Sequence, residues 1–302
     1  MSESEEQAED RLSQLGKWLS LGGSIIAPAT LITALLFYFG YVSSRAQYDY
    51  FGVDVDTIGL STQDYVMRSP QPLLVPLLAL TLLATGFLAA HLAARRRAAA
   101  DPSFRSVAKR MTLVGLILLG LGVALLFSYP IVGDWAYYPL LTPLVLAGGG
   151  MLAAYGLSTI RWMDKRTERS SERSAFAGPA VLVSLWLAVA VTVFWATATV
   201  AQWSGRGLAK EQARNFGELP SVIVDSKQRL FLPAGIGVAE RDLTGAGDGQ
   251  TFRYRYWNLR LLIHGRDRMF LVPASWHSNN TTLLIPLDGD VRVQFQFRND
   301  PP

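Results

Sequence analysis

Five stretches of the chain are predominantly apolar over lengths that a lipid bilayer would bury. They cover residues 18–42, 71–94, 111–132, 136–160 and 177–203. A hydrocarbon core takes about 20 apolar residues at helical rise, so the pattern predicts five transmembrane helices. The last stretch, AGPAVLVSLWLAVAVTVFWATATVAQW, carries no charge, and Ala180, Ser184, Ala188, Thr192 and Ala196 recur in it at every fourth position. Such a stripe of small side chains lets a neighbouring helix approach closely where lipid offers no hydrophobic drive. Gly148, Gly149, Gly150, Ala153 and Ala154 give the fourth span a second smooth face. The third span carries Gly115, Gly120 and Gly122, and the GDW link that follows it predicts an antiparallel hairpin with the fourth.

Beyond residue 203 the period changes. The segment SGRGLAKEQARNFGELP continues a helix as far as Gly217 and Pro220, and strand-like alternation follows. In VRVQFQF, Val291, Val293, Phe295 and Phe297 face one way, with Arg292, Gln294 and Gln296 on the other side. FRYRYW sets Phe252, Tyr254 and Tyr256 opposite Arg253 and Arg255. A hairpin runs from Leu259 through His264, Gly265, Arg266 and Asp267 into residues 269–272, with further strands at 221–225, 229–232 and 282–287. Residues 204–302 are therefore expected to form one small β-rich domain behind a membrane domain at 18–203. Residues 1–17 are acidic, lack apolar periodicity and read as a disordered cytoplasmic tail.

Charge sets the expected orientation. The link RRRAAADPSFRSVAKR holds six Lys and Arg residues and RWMDKRTERSSERS holds five, whereas GDW holds none. The loop at 43–70 has Arg45 and Arg68 against Asp49, Asp54, Asp56 and Asp64. By the positive-inside rule the basic links are cytoplasmic, the amino terminus is inside, and the β domain is extracytoplasmic. The net charge of +4 thus reflects topology and does not indicate nucleic acid.

No catalytic or cofactor signature is present. The chain has no cysteine, which excludes disulfides, thiolate metal sites and cysteine nucleophiles. DVDTIGLSTQDY matches a calcium loop at Asp54, Asp56 and Gly59, but Ile58 stands at a ligand position and Tyr65 replaces the bidentate glutamate. The same loop carries Tyr48, Tyr50, Phe51 and Tyr65, apolar surface expected to dock beneath the β domain. His91, near the inner end of the second span, has no intramembrane carboxylate to relay protons with. His264 and His277 are too few for a metal site. Trp276, His277, Asn279 and Asn280 make a loop suited to recognition, and Arg253, Arg255 and Arg292 mark a basic strand face for anionic headgroups or an acidic envelope polymer.

The segments YDYFGVDVDTIGLSTQDYVMRSP and YRYWNLRLLIHGRDRMFLVPASW resemble those of multi-pass membrane proteins of actinobacterial type with a C-terminal extracytoplasmic β domain. That family has no established activity, so the resemblance implies a bacterial cell-membrane protein and transfers no functional residue. The expected role is a non-catalytic membrane protein whose outer domain binds an envelope protein or polymer, in contact with the lipid bilayer and without a cofactor. A transporter or channel subunit, formed by self-association, is the alternative. The spans hold no Asp, Glu, Lys or Arg in their interiors to line a pathway.

Overall fold

Backbone groups in lipid find no water, so an apolar chain crosses as helix, and the alternating segment pairs its backbone between strands. The computed structural model describes residues 2–101, 103–166, 178–233, 235–245, 250–275, 277 and 281–296. Five long apolar helices precede a C-terminal six-stranded antiparallel sheet: the chain is a multi-pass membrane protein with a C-terminal β domain. Its helices are α1 (Ser2–Asp49), the short α2 (Val55–Ile58) and α3 (Thr62–Arg68), α4 (Pro70–Ala100), α5 (Phe104–Phe127), the single turn α6 (Tyr129–Val132), α7 (Tyr138–Arg166) and α8 (Pro179–Arg214). The acidic segment expected to be disordered is helical from Ser2, as its Glu, Gln, Ala and Leu content favours.

The chain divides into two compact units, Leu73–Ala201 on the one hand and Met1–Pro72 with Gln202–Pro302 on the other. This division differs from the one drawn from the spans, because α1 and the 43–70 loop group with the β domain.

In the membrane unit α5 and α7 form the expected antiparallel hairpin, held by glycines. A Cβ at Gly115 would lie 2.8 Å from Ala153 Cα, and one at Gly149 would lie 2.7 Å from Leu119 N and 2.9 Å from the Gly115 carbonyl oxygen. Backbone meets backbone there, which only a missing side chain permits. Gly150 instead faces α8, where its Cβ would come within 2.8 Å of Val189 Cγ2. Gly120 and Gly148 face open space. The stripe on α8 splits: Thr192 and Ala196 are buried, while Ala180, Ser184 and Ala188 are exposed. Farther along, Thr199 Oγ1 donates to the Pro139 carbonyl at 3.1 Å. At the arginine-rich end Arg105 pairs with Asp164. Leu113, Ile117 and Leu82 are among the large apolar side chains left exposed, as a lipid-facing surface requires.

In the other unit the strands are β1 (Ser221–Ser226), β2 (Ala239–Asp242), β3 (Tyr254–His264), β4 (Arg268–Pro273), β5 (Leu283–Pro286) and β6 (Val291–Phe295). They lie in the order β5-β4-β3-β1-β6, with β2 also on β3. The expected hairpin turn joins β3 to β4, and Gly265 N donates to the Arg268 carbonyl at 2.8 Å. The two strands expected between residues 252 and 263 are one, Tyr254–His264: Asn258 takes a left-handed φ of 62° at a bulge opposite β1, and the strand continues, while Phe252 and Arg253 precede it. Residues 229–232 are not a strand, and this expectation is corrected. Leu230 and Leu232 pack on the sheet, and Leu230 N donates to the Tyr256 hydroxyl at 2.8 Å. β2, whose AERD sequence has poor strand propensity, was not anticipated. Phe295, expected on the apolar side, is 57% exposed on edge strand β6, and Phe297 lies outside the described residues.

The sheet has a core on each face. Val222, Val224, Tyr256, Leu259, Met269, Leu271 and Ile285 fill one. On the other, Leu262, Ile263, Phe270 and Val272 pack against Tyr48, Phe51, Val53, Val55, Ile58 and Tyr65 of the loop, with Ala209 and Phe216. The aromatic loop therefore docks on the β domain as expected, although Tyr50 remains exposed. Thr282 Oγ1 donates to the Phe51 carbonyl at 2.7 Å, Gln47 Nε2 to Gln212 Oε1 at 2.8 Å, and Arg68 Nη1 to the Tyr48 hydroxyl at 2.8 Å. A Cβ on Gly40 would collide with the Tyr65 carbonyl, and one on Gly205 with that of Ser43, so α3 and α8 both lie flush on α1. Burial, then the Asp56 carboxylate, push the Tyr65 phenol up to about 12, so it stays neutral.

The loop's acidic residues cap its helices. Asp54 accepts from Asp56 N at the start of α2, and Gly59 ends that helix with φ 75°. Ser61 and Asp64 form a reciprocal capping box on α3. Ser61→Ala should lower the stability of this unit by about 1 kcal/mol, the usual worth of an N-cap, read as a lower thermal midpoint in detergent. An unchanged midpoint would show that docking alone holds α3.

Candidate functional site

Residues paired across neighbouring strands share a face, so the register lays out the open part of the sheet row by row. On the face that carries the docked loop, Arg292 of β6 lies opposite Asp225 of β1, Asp225 opposite Arg255 of β3, and Arg255 opposite Arg241 of β2. Trp257 flanks Arg255 on the same face of β3, and the exposed Arg253 immediately precedes the strand. Gln294 pairs with Ile223, and Trp257 pairs with Ala239. The next row holds Ser221 and Arg260, and Arg260 is opposite Val272 at the edge of the covered core. Thus one half of the face is sealed by the loop, and the other is lined by arginines, one indole and glutamine amides.

Asp225 is fully buried, with Arg255 Nε 2.7 Å and Arg292 Nη2 2.6 Å from its carboxylate oxygens. Burial pushes its carboxyl up, but hydrogen bonds and charge from Arg255 and Arg292 outweigh this and hold it below the usual carboxylate range. The hydrogen bond to Asp225 holds the Arg255 guanidinium above its ordinary value. The Arg292 guanidinium also lies over the Phe252 ring, 5.0 Å from its centroid. Each guanidinium has five N–H donors and gives two to Asp225, so three on each remain to act outward. One carboxylate among Arg241, Arg255 and Arg292 leaves this surface cationic. Arg260 Nη1 donates to the Leu219 carbonyl at 3.1 Å, while its Nε is buried without a partner.

Arg255 and Arg292 are thus members of a structural ion triad as well as of the basic face, while Arg253 is exposed. His277 is exposed, and Trp276, Asn279 and Asn280 lie outside the described residues. His91 sits between the Phe87 and Tyr155 rings. His264 is exposed at the end of β3, and among the described residues no three His, Asp or Glu side chains are grouped to hold a metal ion. Sequence reading missed Asp225, Arg241 and Trp257. Only the alternation within residues 221–225 hinted that an aspartate in an apolar strand needs a buried partner. Comparisons with protein families, with curated proteins and with solved structures find no match to this chain.

Proposed function

We propose that the chain is a non-catalytic membrane anchor that presents its β domain outside a bacterial cell, where the arginine-lined half of the sheet face binds an envelope component or partner protein. One observation carries this reading: three arginines, Arg241, Arg255 and Arg292, line a face whose other half is occupied by the chain's own loop, so the basic half is left for something else. The basic links at the opposite ends of the spans support an inside amino terminus and an outside β domain.

The absence of cysteine makes a labelling test clean. In intact cells a membrane-impermeant maleimide should label Thr251→Cys in the β domain, and should label Arg96→Cys in the basic link only after lysis. The reverse pattern would overturn the orientation. Photo-crosslinking from position 253 should then capture a reproducible envelope component. Capture of only a second copy of the chain would favour self-association.

A further inference from the structure

We infer that the ligand of this face is an acidic polysaccharide, a carboxylate-bearing glycan; the inference rests on the recognition role proposed above. Lipid headgroups fit the position poorly. The β3–β4 turn touches α2, where a Cβ on Gly265 would meet the Ile58 carbonyl, and Asp56 of α2 accepts from the Tyr41 hydroxyl near the end of the apolar segment of α1. Higher up, Thr282 beside β5 holds the Phe51 carbonyl past the end of α1, and the adjacent Leu283 is paired through Leu271 to Leu261 of β3. The strands therefore climb away from the apolar segment of α1. From Leu261 back to Arg255, past the bulge at Asn258, they rise a further stretch of about 16 Å, counted along the unbulged β1 at 3.3 Å per residue. That exceeds the Debye length of about 8 Å, beyond which headgroup charge is screened.

The side chains on the face match a charged sugar chain. Planar guanidinium groups recognise carboxylates in bidentate fashion, and Arg241, Arg255 and Arg292 offer such donors along one row, with the exposed Arg253 just before β3. The half-buried indole of Trp257 lies between the Arg255 and Arg260 rows, where it can cover the apolar face of a pyranose ring. Gln294 supplies an amide for hydroxyl groups, and the exposed Gln296, whose Oε1 accepts from Ser221 Oγ, adds its N–H donors. An acidic peptide would use the same charges but would have no need of the indole.

The test is binding of detergent-purified full-length protein to three probes: oligogalacturonate, its fully methyl-esterified form, and polyglutamate. Oligogalacturonate should bind with an affinity that falls as salt rises, and the neutral ester at least tenfold more weakly. Arg241→Gln with Arg253→Gln, both exposed and outside the Asp225 triad, should weaken binding at least tenfold with an unchanged circular dichroism spectrum. Trp257→Ala should weaken the glycan and not polyglutamate, with Trp257→Phe restoring most of the loss and controlling for folding. Polyglutamate bound as tightly as the glycan, with no effect at Trp257, would overturn the glycan while leaving a recognition face for acidic protein. Indifference of every probe to the arginine substitutions would overturn the recognition role itself.

Discussion

Asp225→Asn should destabilise the β domain by about 3 kcal/mol, the lower end for breaking a buried ion pair. The carboxylate is fully buried, and its loss leaves Arg255 and Arg292 facing each other across β1 without a counter-charge. The cost stays at the lower end because those side chains are 35% and 50% exposed and can turn into water. Thermal unfolding followed by tryptophan fluorescence in detergent should show the loss. Replacing all three by Leu and Met should recover most of it, since removing every charge also removes the desolvation cost. A triple variant as weak as the single one would show that packing, and not an orphaned charge, dominates. Because the folded carboxyl titrates below its unfolded counterpart, its contribution is complete above about pH 4 and declines only as pH falls through the folded value. The Asn variant should therefore lose its disadvantage only in strong acid.

Gly115→Leu should separate α5 from α7 and cost about 3 kcal/mol, the upper end for overpacking. The new Cβ would lie 2.8 Å from both Ala153 Cα and the Gly149 carbonyl oxygen, and backbone atoms cannot rotate aside. Close approach is what holds membrane helices together, so the whole interface is affected. Gly120→Leu, on the same helix and facing open space, serves as the control. The expected result is a large drop in thermal midpoint and folded yield for Gly115→Leu and little change for Gly120→Leu. Equal behaviour of the two would show that the hairpin does not depend on this contact.

The glycines of the third and fourth spans were legible as packing devices, but their assignments were not. Gly149 meets α5, its neighbour Gly150 meets α8, and Gly148 meets nothing, because successive residues on a helix point 100° apart. Likewise Arg255 and Arg292 were legible as strand arginines facing away from the aromatic positions. Their shared partner Asp225 was not, since it lies in a strand that the turn signals cannot place between them.

The amino-acid sequence by itself determined the five apolar helices, the change to strands after them, and the docking of an aromatic loop. Each follows from a local requirement: apolar length for lipid, alternation for a sheet, burial for exposed aromatics. Only the tertiary structure decided that α1 and its loop belong with the β domain, that β3 runs unbroken through a bulge at Asn258, and that the basic half-face is built on a buried aspartate. Those features depend on strand order and register, which are set by which distant surfaces bury each other best, a balance that no single stretch of sequence contains.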